Sequence, residues 1–141
     1  AAVDAATGAV TIAAWANVHN LLDLRPGRAL KTAALLSGCL LADRREGTEA
    51  ARTLAAGALG VAVAALPEDL MEDTMLGDTG ANAVGALVGT ALAAHPGRTV
   101  RVLAALAGTA LVLASERVSF TRVIARTPVL AALDGLGRHA S

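Results

Sequence analysis

Five mainly apolar stretches alternate with short polar segments along the chain, over residues 10–16, 30–42, 54–66, 80–94 and 102–114. Lys31 is the one charge within them, and Asn82 and Thr90 are the polar positions of the fourth. None has proline inside it, and Ala and Leu are strong helix formers, so each predicts a helix. A soluble amphipathic helix shows charges every few residues on its outer face, which these stretches lack. They are shorter than the ~20 residues of a bilayer span, and snorkelling of Lys31, Arg52 and Arg101 from their ends extends them. The pattern predicts an all-α, polytopic transmembrane bundle of about four to five membrane helices, forming a single domain over 1–141. A soluble alanine-rich helical bundle is the competing architecture.

The polar segments set the expected topology. Residues 67–73, PEDLMED, read as a solvated acidic loop and 95–98, HPGR, as a turn. If 17–31 is cytoplasmic, 67–79 and the tail share its side, while 43–46 and 95–98 face the other. The cytoplasmic side then holds Arg25, Arg28, Lys31, Arg117, Arg122, Arg126 and Arg138, and the far side Arg44, Arg45, Arg52, Arg98 and Arg101. The tail, 116–141, reads as a cytoplasmic amphipathic helix on the membrane surface, with Phe120, Val123 and Ile124 against lipid.

Composition adds to this picture. Hydrophobic residues make up 55% of the chain and mean hydropathy is +0.56, against about 45–50% apolar in soluble domains. Aromatic residues are 1% and Tyr is absent, so bulk comes from Ala, Leu, Val and Gly, as close helix packing in a bilayer favours. Zero net charge argues against a nucleic-acid surface. Cys39 is alone, forms no internal disulfide and reads as a small core residue. The opening residues, AAVDAATGAVTIAAW, read as the tail of an upstream segment, so the chain is expected to be a fragment of a larger multi-span protein.

Two polar motifs carry the candidate chemistry. In NVHNLLDLRPGRALK (17–31), Asn17, Asn20 and Asp23 recur at i, i+3 and i+6, close to one helix face. Arg25, Arg28 and Lys31 follow at the same spacing around a Pro26-Gly27 turn. Cations neutralise phosphate, and a carboxylate beside them serves as metal ligand, base or orienting partner. A juxtamembrane turn with capping Asn and Asp fits the same spacing. In MLGDTGANAVG (75–85), Gly77 and Gly80 flank Asp78 and Thr79 at a helix mouth, where free N–H groups favour an anion and Asp78 can hold a divalent cation. Asp78 or Thr79 as an ordinary N-cap is the plainer alternative. Gly85 and Gly89 form a GxxxG pattern for close helix packing. His19, His95 and His139 are scattered without metal-ligand spacing, and His19 reads as interfacial.

In this order, the motifs resemble those of the polyprenyl-phosphate sugar-1-phosphate transferase superfamily, which includes phospho-N-acetylmuramoyl-pentapeptide transferase and polyprenyl-phosphate GlcNAc-1-phosphate transferases. Asn17, Asn20, Asp23 and Gly27 match an N-x-x-N-x-x-D-G-x-D-G type motif, and Gly77 to Gly80 a G-D-[ST]-G type motif. The likeness spans roughly the C-terminal half of a family member. It implies Mg²⁺-dependent transfer of a sugar-1-phosphate from a UDP-sugar to polyprenyl phosphate, in cell-envelope polysaccharide or peptidoglycan precursor synthesis. The implied location is the bacterial plasma membrane, multi-pass, with the active site facing the cytoplasm and a homodimer left open. Asp78 would bind Mg²⁺, and Asn20, Asp23 and Asp78 would be catalytic. Asn17, Arg25, Arg28, Lys31, Gly77, Thr79 and Gly80 would bind substrate. The chain departs from the pattern at Leu24 and at Pro26, which stands where the family has a second aspartate. It also lacks the aspartate-rich motif expected upstream and the His-rich loop, in whose region SERVSFTRV stands. A family-like membrane protein that binds lipid or a partner, with transfer lost, is the alternative those departures imply.

Overall fold

The computed structural model describes residues 1–138, and His139 lies outside the described residues. Seven helices and no strand are found among them: α1 Ala2–Leu22, α2 Arg28–Ala42, α3 Glu49–Leu70, α4 Gly77–Ala93, α5 Arg98–Ser115, α6 Phe120–Arg126 and α7 Pro128–Gly135. All five apolar stretches lie in helices, and most extend beyond the apolar run. The all-helical expectation holds. Two of the helices, α3 and α5, are long and apolar enough to cross a membrane.

Alanine and glycine make the packing. Ala29, Ala33, Ala55, Ala58, Ala81 and Ala91 are fully buried, with Leu30, Val18 and Val88 between them. α4 packs against α1, α2 and α3, and α5 packs chiefly on α1. Small side chains at the crossings let the backbones approach. A Cβ on Gly85 would stand 2.5 Å from the Trp15 carbonyl oxygen, and one on Gly89 would stand 2.8 Å from the Ile12 Cα. The GxxxG face of α4 is therefore seated directly on α1, and α1 and α4 run antiparallel. Gly108 meets Ala14 and Trp15 in the same way, while the Trp15 indole Nε1–H donates to the Ala104 carbonyl at 3.0 Å. The outer faces stay apolar: Val63, Leu103, Leu106 and Leu113 are exposed.

The turns gather at two ends. At one, Asp43 accepts from His95 Nε2 at 2.9 Å, tying the α2–α3 turn to the α4–α5 turn. The His95 ring is buried, and its Nδ1 accepts from the Gly97 N–H at 2.9 Å. At the other end lie the α1–α2 turn, the α3–α4 loop and the α6–α7 segment, so the sequence-predicted alternation of polar segments is found.

Four local expectations are corrected. α3 does not stop before Pro67; it continues through it to Leu70, although a proline there gives up an i→i−4 bond and crowds the carbonyl of Val63. The tail is two short helices rather than one: Pro128 disfavours helical backbone at Thr127 and opens α7 at its N-terminus. Cys39 is exposed on α2 instead of in the core. His19 is fully buried between α1 and α4 instead of interfacial.

Candidate functional site

Gly27 and Gly77, both with positive φ (+75° and +69°), turn the chain into α2 and α4. Glycine takes that conformation without the Cβ penalty other residues meet. A Cβ at Gly27 would also stand 2.5 Å from a Leu70 methyl, so the α1–α2 turn lies directly on the end of α3.

Asp69 holds this end together. It is buried, accepts from the Gly27 N–H at 2.6 Å and from the Leu76 N–H at 3.3 Å, and so bridges both motif-bearing loops. Its neighbours Glu68, Glu72 and Asp73 are solvated as expected; Asp69 is the correction to the acidic-loop reading. The signal was present in the sequence. Ala51, Ala55, Ala58 and Ala62 are the buried face of α3, and continuing that 3.5-residue repeat through Pro67 reaches Asp69.

Asp23 follows the last residue of α1 and is half-buried. Burial first, then the negative charge of Asp69 and more weakly that of Asp78, raise its pKa to about 6, with the Gly77 amide pulling the other way. The two motifs therefore meet: Asp23 from the first, Asp78 from the second, and Asp69 between the loops. Asp78 is exposed in the first turn of α4. Neither it nor Thr79 caps the helix, since Leu76 takes the N-cap position and no side chain bonds there. Thr79 is exposed, Gly77 and Gly80 half-buried, and Gly80 packs against Leu76. Asn17 is exposed on α1, away from this cluster's buried side.

One turn before Asp23, two acceptors lack partners. His19 Nδ1–H donates to the Trp15 carbonyl at 2.8 Å, which leaves Nε2 as a bare acceptor. Nε2 and the Asn20 Oδ1 are both buried and unpaired among the described residues.

The basic triplet divides. Arg25 is exposed. Arg28 is buried and makes a two-pronged pair with Asp134 of α7, through Nε at 2.8 Å and Nη2 at 2.9 Å, while Nη1 donates to Thr121 at 3.1 Å. Lys31 Nζ donates to the carbonyls of Leu133 at 3.0 Å and Asp134 at 2.8 Å, capping the end of α7. Arg138 also pairs with Asp134. The Arg28 guanidinium, foremost, holds the Asp134 carboxyl below the usual carboxylate range. Nothing in the sequence pattern pointed to Asp134, because its partner is supplied by a distant helix.

Two hollows adjoin these cations. A pocket of about 300 Å³ is lined by Arg25, Arg28 and Arg138 together with Thr121, Ile124 and Asp134. Beside it, a groove of about 690 Å³ runs between α2, α3 and the α6–α7 segment, walled by leucines including Leu35, Leu66, Leu70 and Leu130. Arg28 and Asp134 line both. Ile124, expected against lipid, faces these hollows.

No family model matches the chain, and neither the curated proteins nor the solved structures searched give a match.

Proposed function

We propose that the chain carries part of a membrane transferase site that moves a sugar-1-phosphate from a UDP-sugar to polyprenyl phosphate. The observation that carries this reading is the meeting of Asp23 and Asp78, from the two resembling motifs, around the buried Asp69. On this reading α1, α2 and α4 cross the bilayer along with α3 and α5, the outer leucines and valines face lipid, and the Asp23 end faces the cytoplasm.

The residues fit Mg²⁺. Among the described residues no three His, Cys, Asp or Glu side chains form a metal-holding group, but Mg²⁺ commonly takes one or two protein carboxylates and completes its shell with water and phosphate. Asp78 and Asp23 would hold it, and the negative charge of Asp69 and Asp78, which adds to burial in raising the Asp23 pKa, is the field a dication relieves. Mg²⁺ bound there supplies charge neutralisation on a diphosphate. With a pKa of about 6 in the metal-free site, Asp23 is ionised near neutral pH and so ready to hold the ion. The leucine-walled groove takes the polyprenyl chain.

The test is Mg²⁺-dependent transfer of radiolabel from UDP-sugars into organic-extractable lipid by the protein in membranes, with Asp78→Asn as control. Loss of label by about 100-fold is expected for the variant. Equal labelling by both proteins would sink the role of Asp78.

A second reading has its own support. Pro26 replaces an aspartate of the family pattern, and Arg28 and Lys31 are engaged by the chain itself. A membrane protein that binds lipid phosphate without transfer would keep the groove and cations and give no label.

A further inference from the structure

The α6–α7 segment is held to the bundle in an unusual way. Neither helix has a buried residue, so little apolar packing fixes it. Its polar attachments are the Asp134 pair with Arg28, the Thr121 bond to Arg28 and the Lys31 cap on the end of α7. Three cations, Arg28, Lys31 and Arg138, thus bear on one carboxylate, and a fourth, Arg25, lines the same pocket with its side chain unpaired among the described residues. Guanidinium forks of this kind accept phosphate as readily as carboxylate. The leucine groove opens at Arg28 and Lys31.

We propose that Asp134 is a tethered stand-in for the phosphate monoester of a long-chain lipid phosphate, occupying the cationic end of the groove until that head group displaces it from Arg28 and Lys31. The inference rests on the reading of the groove as a lipid-phosphate site and adds its regulation. Charge favours the exchange. A phosphate dianion among four cations leaves less uncompensated positive charge than one carboxylate does, and Asp134 can swing out because α6 and α7 carry no core. Displacement loosens the segment's hold on α2, and the local opening that follows lets protease seat the already exposed Arg122 and Arg126.

The experiment uses the whole chain in neutral maltoside micelles, with dodecyl phosphate as probe and inorganic phosphate in a parallel arm. Dodecyl phosphate is expected to speed tryptic cleavage at Arg122 and Arg126 of the unmutated protein. Asp134→Asn is expected to bind dodecyl phosphate about 10-fold more tightly by calorimetry, since its own competitor is gone, and Arg28→Gln to lose binding. Unchanged cleavage, or equal affinity of Asp134→Asn and the unmutated protein, would overturn the stand-in role while leaving the groove reading intact. No dodecyl phosphate binding by any folded form would overturn the groove reading itself. Inorganic phosphate releasing the segment equally well would overturn the lipid as occupant.

Discussion

Protonation of Asp23 ties the site to pH. Its carboxyl titrates near 6 in the folded chain against an ordinary 3.8, so between about pH 4 and 6 the folded state binds more protons than the unfolded one. Stability from this group is greatest below that window, falls as pH rises through it, and is level above it. Asp43, held low first by Arg45 and then by His95, and Asp134 act in the opposite sense, losing their contribution as the solution becomes strongly acidic. The Asp23 part is therefore read as a difference: unfolding midpoints of Asp23→Asn should rise relative to the unmutated chain as pH increases from 4 to 7. A constant difference across that range would remove the raised pKa. Asp69→Ala is expected to cost more than the alanine changes Glu72→Ala or Asp73→Ala, because a buried and a partly buried backbone N–H lose their acceptor. At this scale the sequence displayed Asp23 and Asp78 but hid Asp69 and Asp134. A carboxylate among carboxylates looks solvated until the phase of its helix is carried through a proline, and a lone aspartate in a tail looks surface-bound until its arginine is found on another helix.

Helix contacts turn on glycine. Gly85→Ala adds helix propensity yet drives a Cβ into the Trp15 carbonyl, so it should destabilise by about 1–3 kcal/mol. Gly60→Ala, in α3 with nothing within 4 Å of the new methyl, should stabilise by about 0.5–1 kcal/mol. Unfolding midpoints in detergent compare the two directly, and the same sign for both would remove the close α1–α4 contact. The GxxxG spacing made that contact legible from sequence. What the sequence left open was its partner, since an apolar helix with small residues on one face states how near a neighbour comes without stating which. The break at Thr127 was legible too, as Pro128 marks it, but the run of basic and apolar residues on both sides resembled one surface helix.

Taken as a whole, the molecule has an apolar exterior and two polar ends, with α3 and α5 long and apolar enough to cross a membrane. We expect the protein to stay in the membrane pellet through an alkaline carbonate wash and to leave it with a maltoside detergent; release by carbonate alone would favour the soluble bundle. Helical class and the gathering of turns at opposite ends followed from the apolar pattern, because long uncharged stretches permit little else. The number of spans did not, since buried helices and lipid-facing ones share composition here. On the proposed function, carboxylates from two separate loops form one divalent-cation site, and Mn²⁺ titration followed by electron paramagnetic resonance measures this directly. The detergent-solubilised chain should bind a single Mn²⁺, displaced by Mg²⁺, with affinity falling about 10-fold or more in both Asp23→Asn and Asp78→Asn. Identical Mn²⁺ binding by the unmutated chain and the two variants would contradict it.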